Sequence, residues 1–172
     1  MFPIMSLYYT AVIFLSIFSM AIMQICVGSS STLTRARKRL FRLLFLNTAI
    51  CAFCEWFGIF LQDTGSASRI LHIVVKAVEL SVAPSIGFII AWVVADKKKR
   101  PIFIFLAIHA VAECLSGVFG YIYFVDANSH YIHADLYWIY VAAYLVSIVY
   151  CLVIVVANIK KYQYSGIIYF VV

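Results

Sequence analysis

Six ionisable side chains lie inside long apolar segments of this 172-residue chain. At the centre of a lipid bilayer, each such group costs about 2.5 to 3.5 kcal/mol unless it has a partner or water. Carboxylates, histidines and a lysine that converge in such surroundings can bind a small ligand or respond to protons. We therefore predict a ligand- or proton-sensing site from these six residues: Glu55, His72, Lys76, Glu79, His109 and Glu113.

Three of these residues, His72, Lys76 and Glu79, follow one another in the apolar stretch that starts at Arg69. On a helix, Arg69, His72, Lys76 and Glu79 fall within roughly an 80° arc, so they form one polar stripe. Pro84 follows the stripe, and a proline inside a helix removes a hydrogen bond and bends the helix. We expect Pro84 to act as a hinge between a polar half and an apolar half.

The second half of the same stretch carries small residues on the face that continues the stripe. Ala83, Gly87 and Ala91 are spaced by four. Small residues at this spacing let two membrane helices approach closely. We predict a helix-packing face, used either within the chain or in a dimer.

Counting residues from the segment ends predicts which polar groups meet. Glu55 comes level with Lys76, and Glu79 comes nearly level with Glu113. His109 and Glu113 are four residues apart and therefore share one helix face. The alternative is that these groups are satisfied buried pairs that only fix the helix register.

The positioning elements follow from composition. The chain is 66% hydrophobic and 12% charged, with a mean hydropathy of +1.04, against about 45 to 50% apolar and 25% charged residues in soluble domains. About 20 apolar residues suffice for a helix to cross a bilayer. We predict an all-α fold, a polytopic membrane helical bundle that forms a single membrane domain over residues 1–172. Five full transmembrane helices and part of a sixth are expected at about 7–27, 41–61, 69–95, 102–124, 137–157 and 165–172.

The basic residues predict the orientation of these helices. Eleven of the thirteen Lys and Arg residues lie after spans one, three and five, at the ends of the helices or in the loops. The positive-inside rule then places the amino terminus outside and these loops in the cytoplasm. Because the net charge of +6 resides in these clusters, the lipid bilayer is an expected partner and nucleic acid is not. The short sixth run and the outside start suggest a fragment of a seven-span region.

The sequence contains no pattern for a catalytic or metal site. Cys51 and Cys54 form a CxxC, but they lie on an apolar helix without a second cysteine pair. No Gly-rich phosphate loop, nucleophile elbow or metalloprotease pattern occurs. We predict no catalytic residue, no metal and no cofactor in this chain.

Three stretches together resemble a known family: CEWFGIFLQDTGSASRILH, LHIVVKAVELSVAPSIGF and YIYFVDANSHYIHADLYWIYVAAYLVSIVY. They look like the amino-terminal multi-span membrane sensor region of bacterial GGDEF-type diguanylate cyclases, mainly from Firmicutes. The resemblance covers roughly residues 42–161. It implies a sensory input module in the bacterial cytoplasmic membrane and a cyclase that makes cyclic di-GMP as the parent protein. The chain has no GGDEF string, so the catalytic domain is absent from it.

The resemblance also implies a homodimer, because such cyclases act as dimers. Similar membrane regions precede histidine kinases, which leaves the type of output open. A small transporter or channel is the competing class of function, with Glu79, His109 and Glu113 lining a proton or solute path. A truncated gene product without activity is a third possibility.

Overall fold

The computed structural model describes residues 2–62, 68–95 and 100–162, and the side chains of residues 7–158 within them. Five helices in this part of the chain are long and apolar enough to cross a membrane. This confirms the all-α membrane bundle. The helices are α1 Phe2–Ser29, α2 Arg35–Gln62, α3 Arg69–Ala95, α4 Arg100–Phe119 and α5 Tyr137–Tyr162. The expected start of a sixth helix at 165–172 lies outside the described residues, as do residues 96–99.

Most helices are longer than the apolar runs that predicted them, and α3 has the predicted bounds. α2 starts at Arg35 instead of residue 41 because Thr34 caps it. The Thr34 hydroxyl accepts a hydrogen bond from the Arg37 amide at 3.3 Å, and its carbonyl accepts one from Lys38 at 3.0 Å. The basic residues after span one therefore belong to the first turns of α2.

α4 is shorter than predicted, since it ends at Phe119 and not at residue 124. Gly120 ends the helix in a left-handed conformation, with φ 73°, and its amide donates to the Ser116 carbonyl at 2.7 Å. The hydroxyl of Ser116 then accepts hydrogen bonds from the amides of Ile122 at 2.7 Å and Tyr123 at 3.0 Å. One serine and one glycine thus turn the chain out of the helix.

A small β-hairpin follows α4, where we predicted no strand and expected the fourth helix to continue to residue 124. Its strands are β1 Tyr123–Val125 and β2 Tyr131–His133, antiparallel, with Phe124 opposite Ile132. We call the end of the bundle at which this hairpin lies the hairpin end. The opposite end, where residues 35–42 lie, is the basic end.

α3 is the central helix of the bundle. It packs against α2, α4 and α5, whereas α1 packs mainly on α2. Half of the residues in the most apolar stretch of α3 are buried, whereas 22% or less are buried in the corresponding stretches of the other four helices. The main hydrophobic core lies toward the basic end and consists of Val27, Leu40, Phe41, Leu44, Phe45, Phe88, Ile89, Trp92, Val93 and Ile102.

The small-residue face of α3 is used inside the chain. A Cβ atom added to Gly87 would lie 2.7 Å from the backbone carbonyl oxygen of Ser147 on α5. Ala91 is fully buried and Ala83 is partly buried. At Gly87, therefore, the backbones of α3 and α5 meet, and this position is closed to a second copy.

Candidate functional site

The first turn of α3 holds the turn of the β-hairpin. Arg69 Nε donates to the Val125 carbonyl at 2.9 Å, and His72 Nδ1 lies 2.8 Å from the Ser129 carbonyl oxygen. The hydroxyls of Ser68 and Ser129 are 3.1 Å apart. Because a carbonyl only accepts, Nδ1 of His72 carries the proton. The hairpin is thus attached by side chains to the start of the polar stripe.

The next turn of α3 carries an ion pair. Lys76 Nζ lies 2.9 Å from Glu79 Oε2, and both side chains are largely buried, with 9% and 17% exposure. The same Nζ is 5.0 Å from the centre of the Tyr131 ring in β2, which is cation–π range. On the α2 side, a Cβ atom at Gly58 would lie 2.9 Å from Lys76 Cε and 3.6 Å from His72 Nε2. Glycine at this position leaves the space that the lysine occupies.

The predicted pairing of Glu55 with Lys76 is wrong. Among the described residues Lys76 pairs with Glu79 and not with Glu55, whose side chain is exposed on α2. The reason is local, since residues three apart on a helix are neighbours and the lysine reaches its own helix first. Glu55 remains within electrostatic range of Glu79 and of the Tyr9 hydroxyl on α1.

His109 on α4 has a partner that follows from Pro84. A proline has no amide hydrogen, so the carbonyl four residues earlier, that of Leu80, loses its helical partner. His109 Nε2 lies 3.2 Å from this carbonyl oxygen. The histidine therefore donates from Nε2 and replaces the hydrogen bond that Pro84 removes.

Glu113 lies one turn beyond His109 and is completely buried. Its Oε1 is 3.6 Å from His109 Nε2. Neither carboxylate oxygen has a hydrogen-bond partner among the described residues. A buried polar group without a hydrogen-bond partner lowers the stability of the fold. Because this carboxyl group makes no hydrogen bond with the described residues, packing alone holds it in place.

Five of the six predicted residues form two groups, and Glu55 lies outside both on the exposed side of α2. His72, Lys76 and Glu79 face α2 and the hairpin, whereas His109 and Glu113 lie between α3 and α4. Two tyrosines connect the groups, because Tyr131 of the hairpin and Tyr137 of α5 are within electrostatic range of both Glu79 and Glu113. The His109 ring also lies nearly parallel to that of Tyr140, with centroids 6.3 Å apart.

The second group is reached from a different side. An apolar groove of about 430 Å³ runs between α4 and α5, and His109 lies in its wall together with Phe105 and Ala143. This groove faces the side of the bundle rather than its hairpin end.

The sequence did not identify several residues that shape the site. Ser129 is fully buried with φ 68°, and Tyr123 is fully buried and donates to the Ile73 carbonyl at 3.2 Å. Burial raises the pKa of Tyr123 and Tyr131, which keeps both phenols neutral. The alternating residues Tyr123 and Val125 before the turn residues Asp126 and Asn128 were the available signal for the hairpin.

Any inference of function for this chain rests on the residues of its hairpin end. The chain matches no protein-family model, no curated protein and no solved structure.

Proposed function

We propose that this chain is the sensory membrane region of a bacterial signalling protein, and that the Lys76–Glu79 pair with His72 binds a small polar ligand or a proton. One observation carries the proposal: the ion pair and the hairpin share the same two turns of α3. His72 contacts Ser129 in the hairpin turn at 2.8 Å, and Lys76 lies under the Tyr131 ring. A change at the ion pair would therefore directly alter the contacts that attach the hairpin to α3.

The proposed mechanism is a shift between two arrangements of the hairpin end. A ligand can favour one arrangement only by as much as it binds that arrangement more tightly. A ligand or proton that replaces Lys76 as the partner of Glu79 would release the ammonium group from the ion pair and let it move away from the Tyr131 ring. The hairpin would then loosen from α3, and α3 continues through Pro84 to the basic end.

The output and the orientation of the proposed sensor come from sequence. The resemblance to membrane regions of diguanylate cyclases supports cyclic di-GMP synthesis as the output, by a domain that this chain does not contain. The basic clusters support a cytoplasmic basic end, an amino terminus outside and the bacterial cytoplasmic membrane. A homodimer, which the resemblance also implies, would use a face other than that at Gly87.

The test measures cyclic di-GMP in cells that make the protein to which this membrane region belongs. Lys76→Met and Glu79→Gln each remove one charge of the pair, and we expect both to change the signal-dependent cyclic di-GMP level. Asp135→Asn is the control, because it also converts a carboxylate to an amide, at an exposed position outside the contacts of the pair. We expect it to leave the level near that of the wild type.

Membrane insertion is measured in parallel, by quantifying each variant in the membrane fraction. Unchanged cyclic di-GMP in both pair variants, with normal insertion, would exclude the ion pair as the sensing site. An equal change in all three variants would mean that any loss of charge in this region acts in the same way, which also contradicts the assignment.

A further inference from the structure

A groove at the basic end lies between α1 and α2, far from the ion pair. It has a volume of about 550 Å³ and is lined by Gln24 of α1 and by residues of α2 that include Arg39, Leu40, Arg42, Leu43 and Leu46. Both arginines are exposed. The groove therefore combines two guanidinium groups with an apolar floor.

Among the described residues, the positive charge of this groove has no acidic partner. Residues 1–54 contain no Asp or Glu, and none of the described residues at the basic end is acidic. Lys38 is already engaged, since its Nζ donates to the Gly28 carbonyl at the end of α1 at 2.9 Å. Arg39 and Arg42 are the cations that line the groove, and an anion would complement them.

The order of the lining residues along α2 fits one kind of anion. Arg39, Leu43 and Leu46 share a helix face, and Leu46 lies roughly 10 Å farther along the axis than Arg39 at 1.5 Å per residue. The charged residues are nearest the helix start, and the leucines lead toward the centre of the bilayer. A phospholipid has the same order, with its phosphate at the surface and its acyl chains inward.

We propose that this groove binds an anionic phospholipid. Its phosphate contacts the guanidinium groups of Arg39 and Arg42, which suit phosphate oxygens because of their planar donor geometry. One acyl chain lies along Leu40, Leu43 and Leu46. The lipid then joins α1 to α2, and α1 is the helix with the smallest buried share, 6% of its most apolar stretch.

The test measures binding of a fluorescent phosphatidylglycerol to the purified full chain in phosphatidylcholine nanodiscs. We expect Arg39→Gln with Arg42→Gln to weaken binding by roughly tenfold or more, because the two variants together remove both guanidinium groups that contact the phosphate. Two copies of the same change outside the groove are the control: Arg35→Gln with Arg100→Gln, both exposed. We expect this control to bind like the wild type.

Two further arms separate a lipid from a free anion. Leu43→Trp fills the apolar floor and keeps all charges, and we expect it to weaken phosphatidylglycerol binding as well. Glycerol phosphate, which has no acyl chains, is expected to compete poorly. Equal weakening by the control pair, equal binding of labelled phosphatidylcholine, or efficient competition by glycerol phosphate would each overturn the proposal. Helix content is checked by circular dichroism for every variant.

Discussion

The two ends of α3 are held by different kinds of contact. At the hairpin end, Arg69, His72 and Lys76 make hydrogen bonds, an ion pair and a cation–π contact. At the other end of the helix, Gly87 lets the α5 backbone approach, and apolar side chains such as Trp92 fill the core. Directional polar bonds hold the first half of α3 against its neighbours, and close packing holds the second half.

This difference indicates which half can change its arrangement. Polar bonds can be exchanged for bonds to water or a ligand at modest net cost, since one hydrogen bond contributes only about 0.5 to 1.5 kcal/mol. Close packing has no such substitute, because interiors are dense and a displaced backbone loses many contacts together. We infer that the basic half of α3 is the fixed frame and the hairpin half is the adjustable part.

The largest expected effect comes from adding one methyl group at the contact surface of each half of α3. Gly87→Ala places a Cβ atom 2.7 Å from the backbone oxygen of Ser147, which cannot rotate away. We expect it to lower the free energy of unfolding by about 1 to 3 kcal/mol, the usual cost of overpacking. Denaturation of the purified chain in detergent micelles measures this change.

The matched variant at the hairpin half is Gly58→Ala. Its Cβ would meet the Cε atom of Lys76 at 2.9 Å, which belongs to the end of a flexible side chain. The lysine can shift, so we expect a smaller loss of stability than for Gly87→Ala, together with a disturbed Lys76–Glu79 pair. A Gly58→Ala variant that loses more stability than Gly87→Ala would reverse the comparison.

A second prediction concerns the position where the two halves meet, at Pro84. His109→Leu removes the donor to the Leu80 carbonyl, and we expect it to cost about 1 to 3 kcal/mol because a buried acceptor loses its partner. Pro84→Ala restores a backbone amide that can bond to the same carbonyl. The histidine should then matter less.

A double-mutant cycle measures this dependence. We expect His109→Leu to cost about 1 kcal/mol less in the Pro84→Ala background than in the wild type. His109→Gln, which keeps a side-chain amide donor, should recover part of the loss. Equal costs of His109→Leu in both backgrounds would show that the histidine does not serve the proline turn.

The sequence was sufficient to predict the helical frame, and the reasons are physical. Long apolar runs force a helix in a membrane because every backbone group needs a partner there. The bounds of α3 and the small-residue face at Gly87 followed directly from this kind of pattern. The end of α4 did not, because it depends on the backbone angle of Gly120 and on the Ser116 hydroxyl, which reaches two amides of the next segment.

The pairing of the polar groups was harder to predict than their positions. Depth counting compares helices as rigid rods, and so it matched Glu55 with Lys76. A lysine side chain is long enough to choose among several partners, and a carboxylate on its own helix was nearer. The partner of His109 is a backbone carbonyl, and residue types alone do not show that Pro84 had left it free.

The smallest expected effect is a pH dependence of the hairpin turn. Asp126 Oδ1 accepts hydrogen bonds from the amides of Asn128 and His130, both at 2.8 Å, and Nδ1 of His130 lies 3.3 Å from Oδ2. The backbone hydrogen bond from His130, followed by that from its side chain, holds the pKa of Asp126 below its usual value of 3.8. A lowered pKa means that the carboxylate stabilises the turn above the unfolded pKa and that this contribution is lost as the pH falls through the folded pKa.

We expect the amides of Asn128 and His130 to lose protection from hydrogen exchange, relative to their intrinsic rates, only below about pH 4. In Asp126→Asn, whose side-chain oxygen still accepts from both amides, the protection should be independent of pH in this range. The protection of amides in the core of α3 should stay constant throughout, because the contacts of the basic half contain no acidic group in the described residues. Equal loss in the hairpin and in the basic half would mean that the two ends of α3 unfold together.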